Sequence, residues 1–166
     1  MNDLIFPPDQ AQAVQLGGTG VVFRLNGQVT TGSFAVVEHP LRPMTLAAPI
    51  HTHMREDEYS YILEGEVTFL IDGQVWTAKP GGWVCKPRGI PHTFWNGLPN
   101  PARILEIISP AGFEGYFSEM AAALQDREQM ARIRDKYGLI SDLASVPALC
   151  REFHLSLEGQ PDLLNP

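Results

Sequence analysis

Three histidines and one glutamate stand at spacings that suit a transition-metal site. His51 and His53 are separated by one residue, Glu58 follows after four more, and His92 lies further along the chain. Because side chains alternate between the two faces of a β-strand, His51 and His53 would project from the same face and could bind one ion together. Imidazole nitrogens and a carboxylate oxygen form a donor set that binds first-row divalent metals. The four residues therefore predict a metal centre on a β-strand framework.

Short apolar runs that could position these residues fill the chain up to about residue 109. The predicted strands lie at 21–25, 34–37, 59–63, 67–71, 75–78 and 104–108, with a further short strand after Gly81-Gly82. Turn signals such as Asn26-Gly27 and Asp72-Gly73 separate them. The proline-rich segment 40–49 is predicted to be a loop, and the strand at 104–108 is expected to be fully buried. The pattern indicates a small all-β barrel.

Helical spacing of apolar residues follows the strands. We predict one amphipathic helix over about 113–125 and a second between the N-cap Asp126 and Gly138, a residue type that ends helices in the left-handed conformation. The stretch 141–150 is expected to form a short helical turn that Pro147 interrupts. The chain is therefore predicted to be one β-domain followed by helices.

Composition narrows the classes of function. A net charge of -7, from 19 acidic and 12 basic residues, argues against nucleic acid or a phospholipid surface as partner. Cys85 and Cys150 lack CxxC spacing, which argues against a thiolate metal site. No apolar run approaches the roughly 18 residues that span a bilayer, and the first residues lack the pattern of a secretion signal. A cytoplasmic protein without a membrane partner is expected.

The two stretches that carry the candidate ligands resemble the signature motifs of cupins. The first motif, HxH(x)4E(x)6G, is present as His51, His53, Glu58 and Gly65, with Thr45 in place of its opening glycine. The second motif, G(x)5PxG(x)2H(x)3N, is complete as Gly81, Pro87, Gly89, His92 and Asn96. The helical tail is similar to that of single-domain, quercetin dioxygenase-like cupins.

The resemblance implies a fold and a set of ligands. The fold is a double-stranded β-helix, or jelly-roll barrel, over residues 1–110 with its core motifs in 45–110, followed by a helical extension over 111–166 packed on the barrel. The implied metal ligands are His51, His53, Glu58 and His92. Asp57 is a rival to Glu58 but ranks below it. Cupins usually pair through edge strands, so a homodimer is expected.

The resemblance also implies a chemistry. One divalent metal (Fe, Mn, Co, Ni, Cu or Zn) would leave a coordination position open, and we expect a dioxygenase-like oxygenase in which Glu58 takes a proton from the substrate. Strand parity places Ser60 and Ile62 on the face of Glu58 and Phe94 on the face of His92. Such a pocket favours a small, largely apolar substrate, for example a phenolic or a diketone.

The sequence is compatible with several roles for the first helix and with several functions. The helix with Phe113 and Phe117 would either cover the barrel mouth as a lid and line the substrate pocket, or only pack on the barrel. A metal-dependent isomerase, decarboxylase or hydrolase would use the ion without dioxygen. A non-catalytic cupin would bind a small molecule without turnover.

Other conspicuous residues have ordinary explanations. His39 and His154 are each isolated from the motifs, and a surface or hydrogen-bonded role is expected for both. The three tryptophans are expected to pack in the core or at an interface, and residues 55–57 to form a solvated turn.

Overall fold

The computed structural model describes residues 5–156 of the chain. The strands are β1 Ala13–Leu16, β2 Thr19–Leu25, β3 Ala35–Leu41, β4 Thr45–Leu46, β5 Ile50–His53, β6 Asp57–Glu64, β7 Val67–Ile71, β8 Gln74–Ala78, β9 Trp83–Lys86, β10 His92–Asn96, β11 Ala102–Ser109 and β12 Leu139–Asp142. The helices are α1 Glu114–Ala122, α2 Arg127–Tyr137 and α3 Ser145–Glu152, and a 3-10 turn covers Pro8–Gln10. The predicted domain limits at residues 1 and 166 lie outside the described residues.

The strands form two sheets of antiparallel pairs. The first sheet has the order β1-β2-β3-β11-β6-β9, and the second has the order β12-β5-β10-β7-β8 with β4 also paired to β10. Neighbours such as β3 and β11 are distant in sequence, so the chain crosses repeatedly between sheets. The main core cluster combines Leu41 and Ile62 of the first sheet with Phe69 and Phe94 of the second. This mostly β architecture is consistent with a cupin barrel.

Two strand predictions need correction. The segment 40–49 is not a simple loop, because β3 continues to Leu41 and β4 covers Thr45–Leu46. Leu41 and Leu46 are both buried, and their burial outweighs the turn tendency of the surrounding prolines. Strand β11 is not buried on both faces, because every second residue is buried and the others are partly or fully exposed. One face of this sheet packs on the core and the other faces outward.

The two predicted helices are present with slightly different limits. α1 is shorter than the 113–125 expected from periodicity. Asp126 caps α2, since its side chain accepts a hydrogen bond from the backbone N–H of Gln129 at 2.9 Å. Gly138 ends α2 in the left-handed conformation, with φ of 66°. Within the described residues, no helix has both the length and the apolar character that crossing a membrane requires.

The region after α2 differs most from the prediction. Residues 139–142 form strand β12, which pairs with β5 so that Leu139 lies opposite His53 and Ser141 opposite His51. The expected helical turn therefore begins only at Ser145, as α3. Pro147 lies in the first turn of α3, where its missing N–H has no intrahelical partner to lose. The segment after the barrel thus contributes an edge strand to the sheet that carries the histidines.

Candidate metal centre and cavity

The four predicted ligands come together from both sheets. His51 and His53 lie on β5, and His92 lies opposite His51 at the start of β10. Glu58 lies near the start of β6 in the other sheet. One donor atom from each of the four residues lies within 4.8 Å of the corresponding atom of every other residue. The inner faces of two sheets therefore converge on one point.

Backbone carbonyls orient two of the imidazoles. His51 Nδ1 donates to the carbonyl of Pro49 at 2.8 Å, and His92 Nδ1 donates to that of Ile90 at 3.0 Å. A carbonyl only accepts, so the proton of each neutral ring is on Nδ1 and the lone pair is on Nε2. His92 Nε2 lies 3.1 Å from Glu58 Oε2. These hydrogen bonds hold the Nε2 atom in the form that binds a metal.

Glu56 lies behind the third imidazole. His53 Nδ1 and Glu56 Oε2 face each other at 3.7 Å, and both atoms are buried without a hydrogen-bond partner among the described residues. Glu56 is therefore not part of a solvated turn, as the sequence suggested. Asp57 points away and forms an ion pair with Arg88 at 2.8 Å, which leaves Glu58 as the inward carboxylate. The neighbouring Arg55 also makes a structural contact, because it donates to the carbonyl of Lys136 at 3.0 Å.

The electrostatics of the cluster fit a divalent transition metal. Burial lowers the pKa of His51 well below its usual value and also lowers the pKa of His92, so both rings are neutral at pH 7. Burial would raise the pKa of Glu58, but His53 and Lys86 hold it well below its usual range. Neutral imidazoles and an ionised carboxylate are the protonation states that such a metal requires. The donor set therefore fits the metal that the motifs imply.

A buried charge network that the sequence did not reveal supports Glu58. Lys86 lies opposite Glu58 on β9, and its Nζ is 3.0 Å from Glu58 Oε2 and 2.7 Å from Glu106 Oε2. Lys86 and Glu106 are each only 1% exposed. Burial would lower the pKa of Lys86, but the two carboxylates raise it, whereas burial raises the pKa of Glu106 to about 7. Ser60 donates to Glu106 at 3.0 Å. The sequence does contain one indication of this network, because Glu106 is a charged residue within the otherwise apolar run 104–108.

A cavity of about 390 Å³ opens beside the metal ligands. Of the predicted pocket residues, Phe94, Phe113 and Phe117 line this cavity. Ser60 and Ile62 do not line it, although their strand parity points them inward. Ser60 is covered by its hydrogen bonds to Glu106, and Ile62 is enclosed in the main core cluster. The alternation of side chains along β6 correctly predicts that Ser60 and Ile62 face inward. It does not predict that the cavity reaches only as far as Glu58 on this strand.

The segment around α1 forms one wall of the cavity and also packs in the core. The Phe113 ring lies 4.3 Å from that of His53 and 4.8 Å from that of Tyr116, measured between centroids. Phe113 and Phe117 share a core cluster with Val21, Val37, Ile108 and Leu139. The segment 113–117 therefore forms part of the cavity wall and part of the core in this structure.

His39 is a cavity residue that the sequence did not identify. It is buried, and its Nδ1 donates to the carbonyl of Gly20 at 3.0 Å, which agrees with the hydrogen-bonded role expected for it. Burial lowers the pKa of His39 to about 4, so the ring is neutral at pH 7. Its Nε2 is an acceptor with no partner among residues 5–156. His154, by contrast, is exposed and lies away from the cavity.

Comparison with known proteins agrees with the fold. Residues 37–108 match the Cupin_2 family model, described as a cupin domain. The match supports the cupin superfamily. It includes all four candidate ligands, the whole of β6, and β11 except Ser109. No curated protein shows significant sequence similarity to this chain.

Several solved structures resemble this one at low sequence identity. KdgF from Halomonas sp. is 16% identical, with a TM-score of 0.60 over 69% of this chain and 99% of that chain. A sugar phosphate isomerase of the cupin superfamily from Silicibacter pomeroyi is 22% identical, with a TM-score of 0.55 over 63% and 74%. Pac13, a nucleoside dehydratase from Streptomyces, is 14% identical, with a TM-score of 0.58 over 69% and 88%. These likenesses concern the fold, and none of the three is described as a quercetin dioxygenase.

Proposed function

We propose that this cupin is a metal-dependent oxygenase that acts on a small, largely apolar organic molecule. The observation that carries the proposal is the position of Glu58 among three imidazoles at the border of a mainly apolar cavity. His51, His53, Glu58 and His92 would hold the metal, which when bound supplies Lewis acidity and, for a redox-active ion, reactivity toward dioxygen.

The cavity walls favour an apolar substrate over a sugar. Part of the wall consists of apolar side chains that would bury the body of a ligand without offering hydrogen bonds. These are Val21, Phe94, Phe113, Phe117 and Met120. A sugar would need several polar partners along this apolar part of the wall, because buried hydroxyl groups without partners are costly. A phenolic or a diketone has one polar end and an apolar body, which matches this distribution.

Two side chains in the cavity handle the proton of such a substrate. Glu58 is ionised and accepts a proton from the acidic O–H or C–H of the substrate, while the ammonium of Lys86 stays 3.0 Å from its Oε2. His39 offers its Nε2 as a hydrogen-bond acceptor for a hydroxyl group. The Phe113 ring, 4.3 Å from that of His53, gives the candidate ligands an apolar neighbour on the cavity side.

A second candidate function is metal-dependent isomerisation, decarboxylation or hydrolysis without dioxygen. The observation that favours it is that the solved structures with a similar fold include a sugar phosphate isomerase and a nucleoside dehydratase. The same four ligands would then serve only to hold a Lewis acid.

Oxygen dependence separates the two candidates. Protein purified without an affinity tag is reconstituted with Fe(II), Mn(II), Co(II), Ni(II), Cu(II) or Zn(II) and supplied with phenolics and diketones, in air and under argon. We expect substrate-dependent oxygen uptake, incorporation of 18O into product, and loss of both in Glu58→Gln but not in the control His154→Asn. Equal turnover under argon would favour the second candidate, and saturable binding without turnover would contradict both.

A further inference from the structure

We propose that the substrate of this cavity is a small organic carboxylate and that Arg134, together with Tyr116, binds its carboxylate group. This inference rests on the proposed function in taking the cavity as the substrate site. It adds the chemical class of the end of the substrate that does not face the metal ligands.

Arg134 is the first observation. It lies on α2, is half-buried, and lines the same cavity as His51, His53 and Glu58. No hydrogen bond or ion pair of its side chain is present among residues 5–156. Other cations of α2 do have acidic partners, since Arg132 pairs with Glu128 and Lys136 pairs with Glu119. A half-buried guanidinium facing a cavity without a counter-ion is a recognition group for an anion.

Tyr116 is the second observation. It lies on α1, lines the cavity, and stacks on Phe113 with an interplanar angle of 19°. Burial raises its pKa to about 12, against the opposing effect of the nearby Arg134 charge. The phenol is therefore a neutral donor, and its hydroxyl has no hydrogen-bond partner in the described part of the chain. A forked cation next to a neutral O–H donor suits the two oxygens of a carboxylate.

The charge distribution of the cavity points the same way. The chain as a whole carries a net charge of -7, so an anion would be repelled by most of its surface. Among the described lining residues, the acidic ones are Glu58 and Glu106, and both are held by Lys86. The cavity thus has its acidic groups at Glu58 and Glu106 and a positive charge at Arg134 on α2.

The aromatic side chains between these regions define the body of the ligand. Phe113 contacts both His53 and Tyr116. A ligand whose polar head reaches the metal ligands and whose carboxylate reaches Arg134 would lay an apolar or aromatic body along Phe113. A phenol or ketone that also carries a carboxylate has this arrangement of groups.

Binding of matched acids and amides tests the inference without turnover. Phenylacetate, 3-phenylpropionate and 4-hydroxyphenylacetate, each beside its neutral amide, are titrated calorimetrically into metal-free and Zn(II)-loaded protein. The variants are Arg134→Gln, Arg134→Lys and Tyr116→Phe, with Arg132→Gln as a matched control from the exposed face of α2. Metal content and urea unfolding are measured for each variant, so that a lost metal site or a misfolded variant is recognised separately from a lost carboxylate site.

We expect at least one acid to bind more tightly than its amide, in metal-free as well as metal-loaded protein. Arg134→Gln should weaken the acid about tenfold, because charge-assisted hydrogen bonds are lost, and leave the amide unchanged. Arg134→Lys should restore part of the affinity, and Tyr116→Phe should weaken it less than Arg134→Gln. Equal binding of acids and amides, no acid binding at millimolar concentration, or equal effects of Arg134→Gln and Arg132→Gln would overturn the inference. Failure to bind metal, with acid binding intact, would instead overturn the proposed function.

Discussion

Lys86 Nζ lies 3.0 Å from Glu58 Oε2, so a buried ammonium lies directly against a carboxylate of the candidate metal centre. Lys86 also contacts Glu106 at 2.7 Å. The network therefore contains one buried cation for two buried carboxylates, and a bound divalent metal would add positive charge beside them. In the metal-free protein, Lys86 is the buried cation that offsets the negative charge of these two carboxylates.

Replacing Lys86 should cost stability because two buried carboxylates would lose their counter-ion. We expect Lys86→Met to lower the free energy of unfolding by about 3 kcal/mol, as for other broken buried ion pairs. Without the ammonium, the pKa values of Glu58 and Glu106 rise in the folded state. A folded pKa above the unfolded one gives stability at low pH that is lost as pH rises, so the cost should be larger at pH 8 than at pH 5. Urea unfolding at both values measures it.

Lys79→Met serves as the matched control for that experiment. Lys79 is 79% exposed and pairs with Glu66 at 3.6 Å. Its loss should change stability by less than about 0.5 kcal/mol. Equal costs for the two lysines would mean that the Lys86 network contributes nothing beyond a surface ion pair.

Glu56 should tune metal affinity through His53. We expect Glu56→Gln to weaken metal binding about 10- to 100-fold, the range for a carboxylate that supports a ligand histidine. Asp57→Asn, one residue away but paired with Arg88, should leave affinity unchanged. Competition with a chelator, read out by metal analysis of the dialysed protein, gives both affinities. The assignment of Glu56 would be wrong if the two variants lost metal equally.

His39 should make the fold sensitive to mild acid. Its pKa is about 4 in the folded protein against 6.5 when unfolded, so between these values the unfolded chain binds a proton that the folded protein does not. Stability therefore falls as pH drops from 6.5 toward 4, by about 2 kcal/mol at pH 5. We expect His39→Gln, whose amide can still donate to Gly20, to lose about 2 kcal/mol less than the wild type between pH 7 and pH 5. Urea unfolding at pH 7 and pH 5 is the measurement, and equal losses would contradict this role.

Strand β9 is the expected contact of a homodimer. It forms one edge of the first sheet, and its Trp83 is 57% exposed beside Tyr61, with ring centroids 4.8 Å apart. The only charged residue of β9 is the buried Lys86, so the strand has no outward charge that would oppose pairing. We expect sedimentation equilibrium to show a dimer that Trp83→Ser dissociates. Ile140→Ser on β12, an edge of the other sheet, should leave it intact. A monomeric wild type, or dissociation by Ile140→Ser alone, would place the contact elsewhere.

The sequence predicted those features of the site that depend on local geometry. The two-residue period of β5 places His51 and His53 on one face, and motif spacing favoured Glu58 over Asp57. The Lys86–Glu58 and Ser60–Glu106 contacts depend on strand register, which pairs residues that lie 28 and 46 positions apart. Local patterns carry no information about such pairing. Their only sequence trace was a charged residue within an apolar run.

The carboxylate site could not be predicted for a related reason. Arg127, Arg132, Arg134 and Lys136 alternate with acidic residues, and this pattern is typical of a solvated helix. Which of these cations lines the cavity depends on how α2 packs against α1 and β12. A four-residue strand such as β12 is too short to give a clear period, and it forms only because β5 offers a free edge.

The β5–β12 pairing has a consequence for any shortened version of this protein. Leu139 and Ser141 lie directly opposite His53 and His51, so β12 covers the edge of the strand that carries these two histidines. A truncation after β11 would expose the edge of β5, the strand that carries two candidate ligands, and would remove one wall of the cavity together with Arg134. Metal binding should therefore protect residues 139–142 from proteolysis. Cleavage within this segment would then measure whether the candidate metal centre is occupied.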